Sequence, residues 1–500
     1  MKYRITGVAP ATEALLSSVV FIVIISFAQF SICFSFLLFI PIFYILCLES
    51  KLYIKYFSLV ICFFSHIIYC SSWMLSCYSI KECFVIYSMV CLTMLAPTTV
   101  CFLIKKNKAA RCVLFCLTWL FVEYIMCHWS LGLPFYLVGY LLRFNIEFIQ
   151  WYEYTGVLGG SLLILAASLV IYTVFSAKRK LLLTVLPILA LPLIFSYLRF
   201  DKMPDTTNPD KSVRIGVAQT AFDNDLLMNS TEICNQIKST LISEYDAGYL
   251  FYLFPEAILK GVYHLKYLDM SKDFLTLKRL NCSSLKSNLI IGAILHDTDV
   301  ENGMSKRKYN SAVKINCDGY GVISKNKFIP VEERIPNFLG FLKGHVYSDD
   351  FHRNPNVNQV FQIEDKKTGF LICYEALLGE YAAQTGKEAD FLAMMANEVA
   401  FSNTVAVEQY LQVAQIRCIE QRKWMVKSSN MGYSAVIDDK GVIRKKIMNS
   451  DAINIFSANI KCSDRKTFYA IHGDYIGRLS GVLILLFTGC LLFNKILINV

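Results

Sequence analysis

Long runs without charged side chains dominate residues 14–198 of the chain. A membrane-spanning helix needs about 20 apolar residues, because each residue rises about 1.5 Å through a hydrocarbon core about 30 Å thick. Runs of suitable length and composition lie at 57–77, 84–104, 112–128, 157–177, 181–198 and 479–493. The uncharged stretch 14–48 is too long for one helix and is predicted to form two, so the predicted number of spans is eight.

A different pattern covers residues 199–478, where short apolar runs alternate with polar segments of helical character. Continuous apolar strands are typical of a sheet that is buried on both faces. The predicted strands are SVRIGVAQ, GYLFYLFPE, SNLIIGAIL, NSAVKIN, GFLICYE, ADFLAMMAN, KWMVKSSN and GYSAVIDDKGVIRKK, with helices at 224–245 and 404–422. The sequence therefore predicts an α-helical transmembrane bundle at 1–198, an α/β layered domain at 199–478 and a C-terminal transmembrane helix at 479–500.

Composition and loop charge agree with an integral membrane protein, since 55% of the 500 residues are hydrophobic and only 18% are charged. Short cytoplasmic loops collect Lys and Arg. With the N-terminus inside, the inside segments hold Lys2, Arg4, Lys51, Lys55, Lys105, Lys106, Lys108, Arg111, Lys178, Arg179 and Lys180, whereas the short outside loops hold Lys81 and Arg143. We therefore expect a multi-pass protein of the cytoplasmic (inner) membrane, with an uncleaved first helix and residues 199–478 on the periplasmic face.

Net charge and cysteine content exclude some classes of function. The net charge of +10 reflects these loop residues, and no basic run with interleaved aromatic residues is present, so no nucleic acid partner is expected. No Cys and His spacing typical of zinc occurs, and no metal or other cofactor is expected. Disulfides in the α/β domain stay an open alternative, with five candidate cysteines at Cys234, Cys282, Cys317, Cys418 and Cys462.

Three polar residues follow strand-like runs in the α/β domain. Glu256 follows YLFP, Lys325 opens KNKFIPVEE, and Cys373 ends GFLIC. The ends of buried strands are where functional side chains of α/β domains tend to lie. Each residue alone has an ordinary explanation, as a helix first-turn acid, a solvated lysine or a buried thiol. Their occurrence in this order, within distinctive motifs, favours a shared catalytic site.

The motifs FPEA, KNKFIPVEE and ICYEALLGE resemble those of the nitrilase superfamily. Membrane spans on both sides of the domain narrow the resemblance to bacterial apolipoprotein N-acyltransferases, as do YNSA at 309–312 and GLPFYLVGY at 132–140. The resemblance implies an α-β-β-α sandwich and a Glu–Lys–Cys triad. The chain departs from the family at Phe254 (Trp in the family), at Met431 (Asn) and in the segment around Val399, which lacks a Trp.

The resemblance also implies a ping-pong reaction. Cys373 would take an acyl chain from a phospholipid as a thioester, and the N-terminal amine of a diacylglyceryl-cysteine apolipoprotein would then accept it. Glu256 is the expected base, and Lys325 is expected to favour the thiolate.

Three further residues are expected to support this reaction. The backbone N–H of Tyr374 is expected to stabilise the oxyanion together with the Lys325 ammonium. By the resemblance, Glu333 helps to hold the site, with an ion pair to Arg334 or Lys327 as its ordinary alternative. Glu375 is expected to order the helix that begins after the nucleophile.

An apolar tip, defined as Phe338, Leu339, Phe341 and Leu342, is expected to enter the membrane interface, with ordinary loop packing as an equal alternative. The expected partners are the bilayer, a phospholipid donor and a lipoprotein acceptor, and the protein is expected to be a monomer. Two other functions stay open: a membrane-anchored nitrilase-type amidohydrolase with water as acceptor, and a non-catalytic receptor or transport subunit.

Overall fold

The computed structural model describes residues 9–104, 107–176, 179–202, 212–223, 229–244, 248–298, 306–343, 348–354, 359–400, 404–448 and 453–498. The chain divides into two compact units, one of Met1–Met203 with His472–Val500 and one of Pro204–Ile471. Five of the loop residues used to predict orientation, Lys2, Arg4, Lys105, Lys106 and Lys178, lie outside the described residues.

Helices make up the described part of the first unit. They are α1 Pro10–Phe27, α2 Ile32–Leu37, α3 Ile40–Cys47, α4 Leu52–Ser71, α5 Met74–Cys77, α6 Ile80–Cys101, α7 Lys108–His128, α8 Tyr152–Ser176, α9 Arg179–Lys202 and the C-terminal helix Tyr475–Ile498. Five of them, α1, α4, α6, α7 and α8, contain segments that are long and apolar enough to cross a membrane. Helices also lie at the remaining predicted spans, and the total of eight crossings stays a prediction.

The segment between α7 and α8 packs back into the bundle through an acidic side chain. Three short 3-10 turns, Pro134–Tyr136, Val138–Phe144 and Ile146–Phe148, follow one another here. Glu123 on α7 is buried, and its Oε1 accepts hydrogen bonds from Trp119 Nε1 at 3.0 Å and from the backbone N–H of Val138 at 2.8 Å. This acid therefore fixes the position of the GLPFYLVGY segment within the first unit.

A mixed sheet of 13 strands forms the centre of the second unit. The strands are β1 Ser212–Thr220, β2 Phe251–Leu253, β3 Leu259–His264, β4 Asn288–Thr298, β5 Lys306–Ile315, β6 Tyr320–Ser324, β7 Val360–Ile363, β8 Lys366–Ile372, β9 Phe391–Asn397, β10 Met425–Asn430, β11 Ser434–Ile437, β12 Ile443–Ile447 and β13 Ile453–Lys461. They run in the order β6-β5-β4-β2-β1-β10-β9-β8-β7, while β3 pairs with β4, β13 with β1, and the β11–β12 hairpin with β10. The six central strands from β4 to β8 are parallel.

Helices cover this sheet as two pairs. The helices described in the second unit are α10 Ser230–Ser243, α11 Lys272–Leu280, α12 Gly379–Lys387, α13 Thr404–Gln421 and α14 Phe468–His472. The C-terminal helix, which belongs to the first unit, is α15. Helix α10 packs on α11, β3 and β13, whereas α12 packs on α13 and β8. This arrangement confirms the predicted α/β layered domain. The predicted helix at 224–245 is shorter in the structure, and residues 224–228 and 245 lie outside the described residues.

Strand direction brings the ends of distant strands to one edge of the sheet. The parallel strands β2 and β8 both end at this edge. Strand β5 runs antiparallel to β4, and β6 runs antiparallel to β5, with Ser311 paired to both Ala293 and Ser324. Strand β6 therefore points the same way as the central strands. The residues that follow β2, β6 and β8 consequently lie at the same carboxyl edge.

Candidate active site

Glu256, Lys325 and Cys373 lie together at this carboxyl edge. Their exposed fractions are 4%, 0% and 7%, respectively. The Nζ of Lys325 is 3.0 Å from Oε1 of Glu256, and the thiol of Cys373 interacts electrostatically with both charges. The structure thus brings the three residues singled out in the sequence into one buried cluster.

A second carboxylate holds the same lysine. Oε1 of Glu333 is 2.7 Å from Lys325 Nζ, and its Oε2 accepts a hydrogen bond from the backbone N–H of Ile329 at 2.8 Å. Glu333 therefore pairs with Lys325. This contact takes the place of the ordinary alternative, an ion pair with Arg334 or Lys327. We call Glu256, Lys325, Glu333 and Cys373 the catalytic cluster.

The carboxylate of Glu256 is oriented from both sides. Its Oε1 accepts a hydrogen bond from Asn310 Nδ2 at 2.7 Å, in addition to the contact with Lys325. Its Oε2 accepts from the backbone N–H of Asn397 at 3.0 Å. Asn310 lies on β5 and Asn397 ends β9, so two further strands fix the direction of this carboxylate.

Cys373 occupies a strained turn at the end of β8. Its φ is +49°, a left-handed conformation that non-glycine residues rarely adopt. A 3-10 turn, Cys373–Leu377, begins at this residue. Strain of this kind costs about 1–3 kcal/mol, and it concentrates at functional sites. The turn changes the direction of the chain at the residue that carries the thiol.

Glu375 links this turn to the loop that follows Lys325. Its Oε2 accepts a hydrogen bond from the backbone N–H of Ile372 at 2.9 Å. Its Oε1 accepts from the backbone N–H of Asn326 at 2.7 Å and from the hydroxyl of Tyr381 at 2.8 Å. Glu375 therefore orders the start of the turn, as expected, and also ties the nucleophile segment to the lysine segment. Tyr374 is buried between them in the same turn, and its role at the oxyanion stays a prediction.

Burial sets the protonation of the cluster. Burial raises the pKa of the Cys373 thiol well above its usual range, the charge of Glu256 raises it further, and Lys325 only partly opposes this. The Lys325 ammonium favours the thiolate, but burial outweighs this effect. Burial also raises the pKa of Glu333 to about 7, against the opposing effect of Lys325. Burial disfavours the Lys325 ammonium, but Glu256 and Glu333 outweigh it and hold its pKa well above the ordinary value.

Sequence reasoning missed a second polar layer behind the thiol. The hydroxyl of Tyr410, on α13, interacts with the Cys373 thiol and lowers its pKa against the effect of burial. The Nζ of Lys427 lies 5.7 Å from the centre of the Tyr410 ring and 2.5 Å from Oε2 of Glu398. Lys427 also donates to the carbonyl of Tyr433 at 2.8 Å. We call Glu398 and Lys427 the rear pair; both are fully buried.

The sequence around the additional site residues gives only weak indications of a functional role. Asn310 lies in the YNSA motif, which carried part of the resemblance, but no spacing rule connects it with Glu256. Glu398 stood out only as part of a segment that departs from the family. The other two positions that depart from the family pattern, Phe254 and Met431, differ in their surroundings. Phe254 is fully buried, whereas Met431 is 38% exposed and has a φ of +59°.

The apolar tip is only partly described. Phe338 lies in a 3-10 turn, Asn337–Leu342, and is 57% exposed, while Leu339 is half-buried. The side chains of Phe341 and Leu342 lie outside the described residues. Entry of this tip into a membrane interface stays a prediction.

Two family models match different parts of the chain. The model for carbon–nitrogen hydrolases matches residues 219–468, and the model for the N-terminal domain of apolipoprotein N-acyltransferases matches residues 20–170. Among solved structures, Nit3 of Saccharomyces cerevisiae, a member of branch 10 of the nitrilase superfamily, aligns with a TM-score of 0.37 and 14% identity over 52% of this chain and 93% of its own.

Curated relatives with the name apolipoprotein N-acyltransferase occur in several bacteria. The protein of Rickettsia prowazekii is 25% identical over 78% of this chain and 78% of its own length. The proteins of Pseudomonas putida and Pseudomonas syringae are each 30% identical over 28% and 29% of this chain. The chain spans 29% of the length of each of these two Pseudomonas relatives.

Proposed function

Since the chain belongs to the carbon–nitrogen hydrolase family, we propose that it transfers an acyl chain from a phospholipid to the N-terminal amine of a diacylglyceryl-cysteine lipoprotein. One observation carries the proposal: the same chain also matches the N-terminal domain of apolipoprotein N-acyltransferases over residues 20–170. The apolar helices in this region support a substrate that reaches the enzyme from a bilayer. The relative from Rickettsia prowazekii, which bears this name, supports the same assignment.

In the first half-reaction, Cys373 attacks the ester carbonyl of the phospholipid. The thiol proton passes to Glu256 as the carbon–sulfur bond forms. The carbon–oxygen bond then breaks, and Glu256 returns the proton to the leaving alkoxide, which gives a lysophospholipid and a thioester on Cys373. The Lys325 ammonium and the backbone N–H of Tyr374 stabilise the negative oxygen of the tetrahedral intermediate.

In the second half-reaction, the lipoprotein amine attacks the thioester. Glu256 takes a proton from the amine as the carbon–nitrogen bond forms. The carbon–sulfur bond breaks, and the same proton restores the thiol of Cys373. The products are the amide and free enzyme, so the cycle needs no cofactor.

The electrostatics of the cluster support a base that acts during the attack. Because burial raises the pKa of Cys373, the resting nucleophile is a thiol, and its proton must leave as the new bond forms. Lys325 keeps its positive charge because two carboxylates surround it. Glu333 acts by holding Lys325, and Glu375 acts by fixing the two loops that carry Lys325 and Cys373.

The distribution of basic residues among the loops supports an orientation of the protein in the membrane. We infer a protein of the cytoplasmic membrane whose second unit faces the periplasm. A reporter enzyme fused after Tyr197 is expected to be active outside the cytoplasm, and one fused after Lys180 is expected to be active inside. Reversed activities of the two fusions would overturn this orientation.

The proposed function is tested by supplying the substrates in sequence. Purified protein with phospholipid alone should release one equivalent of lysophospholipid, retain a hydroxylamine-sensitive acyl group on Cys373, and then stop. A diacylglyceryl-cysteinyl peptide should then convert the acyl group into an amide. Steady release of free fatty acid without the peptide would instead identify a hydrolase. A preparation that never becomes acylated, like the Cys373→Ala control, would favour a non-catalytic role.

A further inference from the structure

Two exposed cysteines of the second unit lie beside each other. Cys282 lies in a π-helical turn, Asn281–Leu285, that follows α11, and Cys317 lies in the turn between β5 and β6. Both are free and exposed, and their thiols lie close enough to interact with each other. We call them the thiol pair. The other four cysteines of this unit are buried, so the thiol pair is chemically accessible in a way that those four are not.

The two turns that carry the thiol pair are fixed against each other. Nδ2 of Asn281 donates a hydrogen bond to the carbonyl of Ile315 at 3.3 Å. On α11, Nζ of Lys278 lies 5.0 Å from the centre of the Tyr320 ring, and Phe274 contacts the same ring edge-on at 5.9 Å. The first partners all precede Cys282, whereas Ile315 and Tyr320 lie on either side of Cys317. The proximity of the two thiols therefore follows from the packing of α11 against the β5–β6 hairpin.

The hairpin turn itself is also ordered. The backbone N–H of Asn316 donates to the carbonyl of Gly319 at 3.1 Å, and the N–H of Gly319 donates to Oδ1 of Asn316 at 2.9 Å. Gly319 has a φ of +157°, which a side chain would strain. Cys317 is thus held within a closed turn.

We propose that Cys282 and Cys317 form a disulfide when a two-electron oxidant of the disulfide class, either a small molecule or a thiol oxidoreductase, reaches the folded protein. The Cys282 thiolate attacks one sulfur of the oxidant and releases the other as a thiol. Cys317 then loses its proton and attacks the sulfur of Cys282, which releases the second thiol. Two electrons and two protons pass to the oxidant, and one sulfur–sulfur bond forms in the protein.

The contact between the two thiols sets the order of these steps. Contact with Cys282 raises the pKa of Cys317 to about 11, and the Lys278 charge only partly opposes this. Cys317 consequently keeps its proton while Cys282 reacts first. A compartment outside the cytoplasm, as proposed for this unit, would maintain such a bond.

The disulfide would stabilise the fold without entering the catalytic cluster. It would close a loop that contains β4 and β5 and would join α11 to the hairpin. Cys317 precedes the amino end of β6, whereas Lys325 follows its carboxyl end, so the thiol pair and the cluster lie at opposite ends of this strand. We expect a higher thermal midpoint and an unchanged rate of acyl transfer.

Trypsin places each cysteine in its own peptide, LNCSSLK at 280–286 and INCDGYGVISK at 315–325. The full-length protein is incubated in detergent with oxidised glutathione, alkylated with iodoacetamide, digested and analysed by mass spectrometry. The expected result is one cross-linked peptide, lighter than the sum of the two by two hydrogen atoms and lost after reduction. Recovery of both peptides as alkylated thiols, or only as separate glutathione adducts, overturns the proposal.

Serine variants provide matched controls. Cys282→Ser and Cys317→Ser should each abolish the cross-linked peptide, whereas Cys33→Ser, at an exposed cysteine of the first unit, should retain it. Oxidation should raise the thermal midpoint of the unsubstituted protein by roughly 5–10 °C and leave that of Cys282→Ser unchanged. Equal midpoints of oxidised and reduced protein, with the cross-link present, would contradict the stabilising role. Neither result depends on the acyl-transfer reaction.

Discussion

Two lysines of the second unit, Lys325 and Lys427, are fully buried, and their partners differ. Lys325 contacts two carboxylates, Glu333 at 2.7 Å and Glu256 at 3.0 Å. Lys427 contacts one carboxylate, Glu398 at 2.5 Å, and one backbone carbonyl. The catalytic cluster therefore holds one more carboxyl group than ammonium groups, whereas the rear pair is balanced.

This difference separates a reactive site from a supporting one. In a buried pair of one carboxylate and one ammonium, the ammonium occupies the carboxylate, so no second carboxylate is left to take a proton. Removing either partner leaves a buried unpaired charge, which lowers the free energy of unfolding. A surplus carboxyl group beside a thiol provides a proton acceptor that the lysine does not consume. We infer that Lys325 and its two acids carry the chemistry, while the rear pair holds Tyr410 and the end of β9 in place.

The largest expected effect concerns the stability of the rear pair. Lys427→Met should lower the free energy of unfolding by about 3–5 kcal/mol, because it leaves Glu398 buried and unpaired. Thermal unfolding in detergent would measure this loss. The double variant Lys427→Met/Glu398→Gln should recover most of the loss. A single variant as stable as the unsubstituted protein would show that the pair contributes nothing.

Loss of the catalytic lysine should lower the rate of the reaction in addition to its effect on stability. Lys325→Met should slow the release of lysophospholipid in a single turnover by about 10²-fold or more, since it removes an oxyanion donor. Lys327→Met is the matched control, because Lys327 lies in the same loop and faces the ring of Tyr381 instead. Equal rates for these two variants would remove Lys325 from the reaction.

Glu333 should give the protein a pH-dependent stability near neutrality. Its pKa is raised from 4.5 to about 7 by burial, so its contribution is fully present below pH 4.5 and is lost as the pH rises through 7. From pH 5 to pH 8, the unsubstituted protein should therefore lose roughly 2 kcal/mol relative to Glu333→Gln. Thermal midpoints of both proteins across this range test the expectation, which parallel curves would contradict.

The smallest expected effect is that of Tyr410 on the reactivity of the Cys373 thiol. Tyr410→Phe removes the hydroxyl that lowers the pKa of the Cys373 thiol against the effect of burial. The thiolate fraction should fall, so alkylation of Cys373 by iodoacetamide at pH 8 should slow by roughly tenfold. Alkylation of the exposed Cys282 in the same sample is the control. An unchanged ratio of the two rates would exclude this role of Tyr410.

Much of the α/β fold follows from local sequence. The runs that form β1, β4, β8 and β9 contain continuous apolar segments because these strands are buried in the parallel centre of the sheet. Strands β3, β7 and β13 were not predicted, because they pair on one side or carry a mixed pattern that resembles a loop. Glu256, Lys325 and Cys373 were found because each follows a strand end within a distinctive motif.

The remaining features of the site depend on tertiary structure. Tyr410 and Lys427 meet Cys373 and Glu398 across different elements, so no spacing in the sequence marks them. The net rise in the pKa of the Cys373 thiol could not be predicted from the sequence, since the degree of burial is set by the whole domain. The partner of Glu333 could not be predicted from the sequence either, because three basic residues lie near it in sequence. Only the fold shows that Lys325 is the partner.

The most direct test compares two double variants, Lys325→Met/Glu333→Gln and Lys427→Met/Glu398→Gln, by thermal unfolding and by single-turnover acylation of Cys373. We expect both to regain stability relative to their single lysine variants. Only the second should also acylate at close to the unsubstituted rate, while the first should stay about 10²-fold slower or more. A stable first variant that acylates at the normal rate, or a stable second variant that does not acylate, would contradict the assignment of chemistry to Lys325.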